Sequence, residues 1–206
     1  MPDQFQNKYR IESARLRHWD YSWNAFYFVT ICTKNREHFF GDVLVGKDAL
    51  PYVSLSEIGK IVETEWLKTF EMRPDMNLEM GEYMIMPNHF HAMIGIGENE
   101  FNSQRDPQRD PHGRDAMHCV STMHCVPTVD NTTNESKNQF GPQSKNLASV
   151  IRGFKIGVTK NARLINPHFA WQSRYHDHII RNDESFRNIS EYIKNNPAHW
   201  QEDTFH

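Results

Sequence analysis

Apolar residues recur along this chain with two periods, and the switches between them outline a fold before any motif is considered. Residues 25–33 (Ala-Phe-Tyr-Phe-Val-Thr-Ile-Cys-Thr) are aromatic and β-branched and predict a buried strand. Ile58, Ile61, Val62, Trp66 and Phe70 then fall at helical spacing. Ser54-Leu55-Ser56-Glu57 ahead of them fits a capping box, and the helix stops before Pro74. Two strands follow at about 78–86 and 89–96, tightly joined through Pro87-Asn88. From about residue 145 a second helix collects Leu147, Val150, Ile151, Phe154, Val158 and Ala162 on one side. Arg152, Lys155, Lys160 and Arg163 fall opposite, with Ile156 the one misfit. Residues 170–180 predict a last strand, and Asn182 or Asp183 caps a final helix that runs through Asn195 and ends at Pro197. The order βαββαβ predicts an α+β, ferredoxin-like sandwich: a four-stranded antiparallel sheet with two helices on one face and an added C-terminal helix. The first and third strands are central in that topology.

Between the histidine-bearing hairpin and the second helix, residues 97–145 change character. Gln-Arg-Asp-Pro occurs twice in tandem from Gln104, and Met-His-Cys-Val occurs at 117 and again at 123. The segment has no periodic apolar face and is expected to be a mobile, low-complexity insertion. His118, Cys119, His124 and Cys125 are zinc-capable, but their spacing matches no finger or knuckle, and a duplicated segment accounts for it. The organisation predicted is an arm at 1–22, a single domain at 23–200 interrupted by 97–145, and a tail at 201–206.

Composition narrows the setting. No apolar run approaches the roughly 18 residues of a membrane span. The N-terminus lacks a signal core, and three cysteines do not make a disulfide framework, so a cytoplasmic protein is expected. A formal charge of −3 gives no global attraction to a polyanion, so any nucleic-acid surface has to be local. The all-cationic side of the second helix is the best candidate for phosphates.

The richest stretch in chemistry is Met86-Pro87-Asn88-His89-Phe90-His91. Side chains alternate along a strand, so His89 and His91 share one face while Phe90 enters the core, and two imidazoles on a rigid strand are half of a metal site. The pattern alone is weak. Twelve histidines in 206 residues make about one His-x-His expected by chance, and His176-Asp177-His178 is a second. On the final helix Tyr192 and Asn196 lie one turn apart beside the apolar stripe of Phe186, Ile189 and Ile193.

Together these blocks resemble the single-tyrosine transposases of the His-hydrophobe-His class, in particular the REP-associated tyrosine transposase branch. The likeness rests on Met86 to His91, on Trp171-Gln172 through His178-Ile179-Ile180-Arg181, on Tyr192-Ile193-Lys194-Asn195-Asn196-Pro197, and on residues 27–33 followed by Asn35-Arg36. It spans about residues 15–96 and 145–200. The resemblance implies that His89, His91 and Asn196 hold Mg²⁺ or Mn²⁺ and that Tyr192 attacks a phosphate of single-stranded, hairpin-forming DNA. A His-rich set favours Mn²⁺ over Mg²⁺. A covalent 5′-phosphotyrosine would keep the bond energy for strand transfer. Arg152, Lys155, Lys160, Arg163 and Arg174 are the expected phosphate contacts. Trp171 and Tyr175 are either base-stacking platforms or core, and His178 is expected to support the site from behind. The protein would act as a monomer or a homodimer.

Two rival readings stand beside this one. A metallohydrolase using His89, His91, His176 and His178 would need no tyrosine. A catalytically inactive nucleic-acid-binding relative would need neither metal nor nucleophile, although the chain lacks the aromatic motif of RNA-recognition domains.

Overall fold

A computed structural model describes residues 19–103 and 144–202, preceded by two short paired strands, Gln4–Phe5 and Lys8–Tyr9. The duplicated segments, with His118, Cys119, His124 and Cys125, lie outside the described residues. The elements are β1 (Ala25–Cys32), β2 (Gly41–Val45), β3 (Pro51–Leu55), α1 (Glu57–Glu71), β4 (Leu78–Met86), β5 (His89–Ile96), α2 (Leu147–Ile165), β6 (His176–Ile180) and α3 (Asp183–Asn195).

β4, β5, β1 and β6 form an antiparallel sheet in that order, which puts the first and third strands of the βαββαβ unit in the centre as predicted. β2 and β3 make a separate hairpin that the hydrophobic pattern did not announce. Its outer end leaves Val45 and Leu50 exposed.

The strand period divides the sheet into two unlike faces. Tyr27, Val29 and Ile31 of β1 and Phe90, Ala92 and Ile94 of β5 point to one side. There they meet Ile58, Val62 and Trp66 of α1 and Val150, Ile151, Phe154 and Val158 of α2. Trp66, Phe90 and Phe154 sit 5.1–5.4 Å apart, ring centre to ring centre, two of the pairs edge-on, a geometry that adds about 0.5–1.5 kcal/mol per pair to simple burial. α3 covers the other face, where Phe186, Ile189 and Ile193 meet Phe26, Phe28, Met84, Met93 and Ile180 in a much smaller apolar cluster.

Three local details differ from the sequence pattern. The N-cap of α1 is Ser56, whose hydroxyl accepts from the Gly59 amide, while Ser54 stays in β3. The last strand is short: Trp171 makes one isolated bridge to Thr33, Arg174 takes φ of 70°, and regular pairing starts at His176. β4 carries a bulge between Met80 and Tyr83, so Met80 stands opposite Ile94 but Tyr83 opposite Ala92. Gly81 lies in the bulge, where a Cβ would come within 2.7 Å of the Met93 Cβ. This single extra residue moves Met84 and Met86 to the α3 face and turns Tyr83 and Ile85 toward the main core.

Candidate active site on the histidine face of the sheet

Strand pairing lines up the polar residues of the α3 face. Thr30 pairs with His91 on one side and His176 on the other, and Cys32 pairs with His89. Met84 and Met86 flank the two histidines from β4. Both histidines are fully buried, because α3 and the helical turn Asn196–Glu202 lie across them.

Each imidazole is held through Nδ1. His89 Nδ1 lies 2.8 Å from Asn88 Oδ1, and the Asn88 amide nitrogen donates to the Arg36 carbonyl at 3.3 Å. That second bond fixes the amide orientation, so Asn88 accepts the His89 Nδ1 proton and Nε2 keeps its lone pair. His91 Nδ1 lies 2.9 Å from Thr30 Oγ1, and its Nε2 is 3.3 Å from the Tyr192 phenol. The two rings are 4.5 Å apart. Phe28 stacks on His91 at 5.3 Å and meets Tyr192 edge-on at 6.1 Å, while Trp200 packs 6.0 Å from His89.

Burial keeps both rings neutral. It lowers the His89 pKa to about 2, with smaller contributions from His91 and from the Arg36 cation, opposed by Asn196. Burial also lowers the His91 pKa to about 3, and His176 adds to that fall. A neutral imidazole is the metal-binding form, so a cation here meets no competition from protons near pH 7. Asn196 is 3 % exposed. Its Oδ1 is buried without a hydrogen bond of ordinary geometry, yet the side chain lies close enough to His89 to favour the protonated ring. Among the described residues, no three His, Cys, Asp or Glu side chains converge as a metal cluster. Two buried imidazoles and one buried amide oxygen are what this face could offer a cation, donors whose chemistry would fit a divalent ion of intermediate hardness such as Mn²⁺.

Tyr192 is 45 % exposed and joins the site from α3 one turn before Asn196. The other candidate residues are more scattered. His176 and His178 project on the histidine face but are exposed at the sheet edge, and His176 is the one whose charge reaches His91. Arg152, Lys160 and Arg163 lie on the outer surface of α2, in the layer across the sheet from the histidines. Arg163 donates to the Phe169 carbonyl at 3.1 Å. Lys155 bends back to the Gln172 and Arg174 carbonyls at 2.9 and 3.1 Å, and burial lowers its pKa to about 8. Trp171 packs against Phe40, Phe154 and Phe169 and donates to the Lys155 carbonyl, and Tyr175 also lies against the main core. Arg174 is exposed on the turn between them.

Four residues at the site carried no role in the sequence pattern: Asn88, Thr30, Arg36 and Trp200. Asn88 reads as a turn residue and Thr30 as strand filling. The register of β1 against β5 sets Thr30 beside His91, and the bond from Asn88 to the Arg36 carbonyl turns its amide oxygen to the neighbouring His89.

The backbone that carries this geometry has a known counterpart. A solved structure of a REP-associated tyrosine transposase bound to a REP hairpin superimposes with a TM-score of 0.52, at 17 % identity, over 93 % of this chain and 74 % of that one. The fold is thus that of the REP-associated tyrosine transposase, an α+β sheet of four antiparallel strands with its helices. No family model matches the chain. A Haemophilus influenzae protein described as uncharacterised is 33 % identical over 192 residues, covering 93 % of this chain and 90 % of the relative. The chain belongs to one family with that protein. Among the described residues, no helix is long and apolar enough to cross a membrane.

Proposed function

We propose that this protein is a transposase-like enzyme that cuts and rejoins single-stranded, hairpin-forming DNA through a covalent phosphotyrosine. The observation that carries this reading is the approach of the Tyr192 phenol to His91 Nε2 at 3.3 Å, one helical turn from an amide beside His89. The shared fold with a transposase bound to a REP hairpin supports DNA hairpins as the substrate class.

In this reading His89 and His91 offer Nε2, and Asn196 offers Oδ1, to a divalent cation, Mn²⁺ or Mg²⁺. When bound, the ion supplies charge neutralisation at the scissile phosphate. Asn88 and Thr30 keep the rings turned so that both Nε2 atoms face α3. Tyr192 Oη attacks phosphorus as the bond to the 3′ oxygen breaks. The phenol gives up its proton, the 3′ oxygen gains one, and the 5′ phosphate stays esterified to the tyrosine. A 3′-hydroxyl reverses the step without an external energy source. Arg152 and Lys160 are proposed as phosphate contacts away from the reacting centre, and His178 as a support at the sheet edge.

Covalent trapping tests the proposal. Labelled hairpin DNA from the flanks of the gene is incubated with protein and Mn²⁺ or chelator, then resolved on denaturing gels. A metal-dependent adduct that vanishes in Tyr192→Phe is the expected result. Cleavage without an adduct, unchanged by that substitution, would overturn it in favour of a hydrolase.

A further inference from the structure

A concavity of about 350 Å³ opens beside Tyr192, at the low end of the roughly 300–1,000 Å³ typical of small-ligand sites. Asn188, Glu191, Tyr192, Asn195, Asn196 and His199 line it. The first four recur at i, i+3, i+4 and i+7 along α3, so they share one face of the helix. Asn188, Glu191 and Asn195 are exposed, and no hydrogen bond or ion pair to another described residue engages their side chains. Elsewhere on this helix Asn182 caps the N-terminus and Lys194 pairs with Glu82 of β4 at 2.8 Å.

The chemistry of this lining is specific. Asn188 and Asn195 each present a donor and an acceptor in one plane, and Glu191 presents acceptors only. No lysine or arginine lines the concavity, and the Glu191 carboxylate repels phosphate. A backbone-binding groove has the opposite charge. The lining suits the edge of a nucleobase, since carboxamides pair with adenine-type edges and carboxylates accept from exocyclic amines. Thymine offers its one N–H between two carbonyl oxygens, which a carboxylate disfavours. The ring of Tyr192 forms part of the wall, so whatever fills the concavity lies next to the reacting phenol.

We infer that this concavity seats one unpaired nucleobase of the strand, next to the phosphate attacked by Tyr192, and selects an amine-bearing base over thymine. The inference rests on the single-strand reading of the site proposed above, but its test uses binding alone. Tyr192→Phe protein without metal is mixed with a library of random single-stranded dodecamers, and the bound pool is sequenced. Thymine should be depleted at least about fivefold at one shared position, as expected for one good polar base contact. Adding Asn188→Ala and Glu191→Ala should abolish the depletion at an unchanged thermal midpoint, because both side chains are exposed. Adding Glu191→Gln alone should restore thymine, since the carboxamide also donates. Binding without positional preference, the same preference in the triple variant, or no binding of single strands would overturn the inference. Adduct formation by the wild type is scored separately. An adduct without base preference removes only the base site, and a preference without an adduct removes only the transesterase.

Discussion

Tyr27 and Tyr192 lie against opposite faces of one sheet, and their surroundings show how differently those faces are built. Tyr27 is fully buried, accepts from the Trp19 indole at 3.1 Å and donates to the Trp23 carbonyl at 3.3 Å. Burial pushes its pKa well above that of an ordinary phenol, so it stays protonated and serves packing. Tyr192 is nearly half exposed, and its hydroxyl meets a neutral imidazole instead of a backbone carbonyl. The face under α1 and α2 is closed by large interlocking aromatics. The face under α3 holds Thr30, His89, His91 and Asn196, each buried and polar, with a small apolar cluster around them. A single strand, β5, supplies Phe90 to one face and its two flanking histidines to the other. The well-packed face therefore fixes the backbone that displays the histidines, and side chains on a strand hold position better than side chains on a loop.

This contrast predicts a ranked series of effects. Tyr192→Phe is expected to lower adduct formation by roughly 10⁴-fold or more, as loss of a nucleophile does elsewhere. Tyr27→Phe should leave the adduct intact and cost about 1–2 kcal/mol in urea unfolding, the worth of a buried hydrogen-bonding group left unpaired. Equal losses in the two variants would erase the distinction between the faces. Phe90→Ala opens the centre of the aromatic cluster and should cost about 3–5 kcal/mol of stability by thermal or urea melts.

Thr30→Val and Asn88→Ala release the histidine rings without touching a proposed ligand. Each should weaken Mn²⁺ binding by about 10–100-fold in calorimetric titration. An unchanged affinity would mean that the rings are held by packing alone.

Acid provides a subtler probe of the same face. The folded-state pKa values of His89 and His91 are depressed below the ordinary value of 6.5. The unfolded chain then binds more protons than the folded one as pH falls below 6.5, and stability drops toward the folded values near 2 and 3. Metal-free protein should therefore lose stability progressively as the pH falls across that window, which thermal melts at stepped pH would read. A melt that is flat in pH there would show that the rings are more hydrated than this structure has them.

The smallest effect is expected on the outer layer. Arg152→Gln with Lys160→Gln should change stability by less than about 0.5 kcal/mol. It should flatten the salt dependence of single-strand binding by about 0.7 for each phosphate that is no longer neutralised. An unchanged slope would confine the DNA to the histidine face.

Much of this arrangement was legible in the chain. Alternation of Phe90 between His89 and His91 assigned them to opposite faces, and the helical stripe of Leu147 to Ala162 located the buried side of α2. Glycine bulges escape such patterning. Strict alternation in β4 would send Met84 and Tyr83 to the wrong faces, and only the extra residue near Gly81 corrects the register. Lys155 and Arg163 read as part of a phosphate-facing cationic side, yet both donate to loop carbonyls, because long side chains reach partners that helical position does not reveal.

The sequence by itself determined the βαββαβ order of the main sheet and its helices, though not the β2–β3 hairpin. It also determined the sides on which most apolar residues fall, and it singled out the histidine, tyrosine and asparagine side chains. These follow from local periodicity and side-chain chemistry, which need no knowledge of distant neighbours. Only the tertiary structure decided that Thr30 and Asn88 orient the two imidazoles, that Arg36 and His176 bear on their charge, and that α3 brings Tyr192 within 3.3 Å of His91. Apart from the neighbouring pair Asn88 and His89, these contacts run between elements and between residues as many as 101 positions apart, set by register and packing rather than by spacing along the chain.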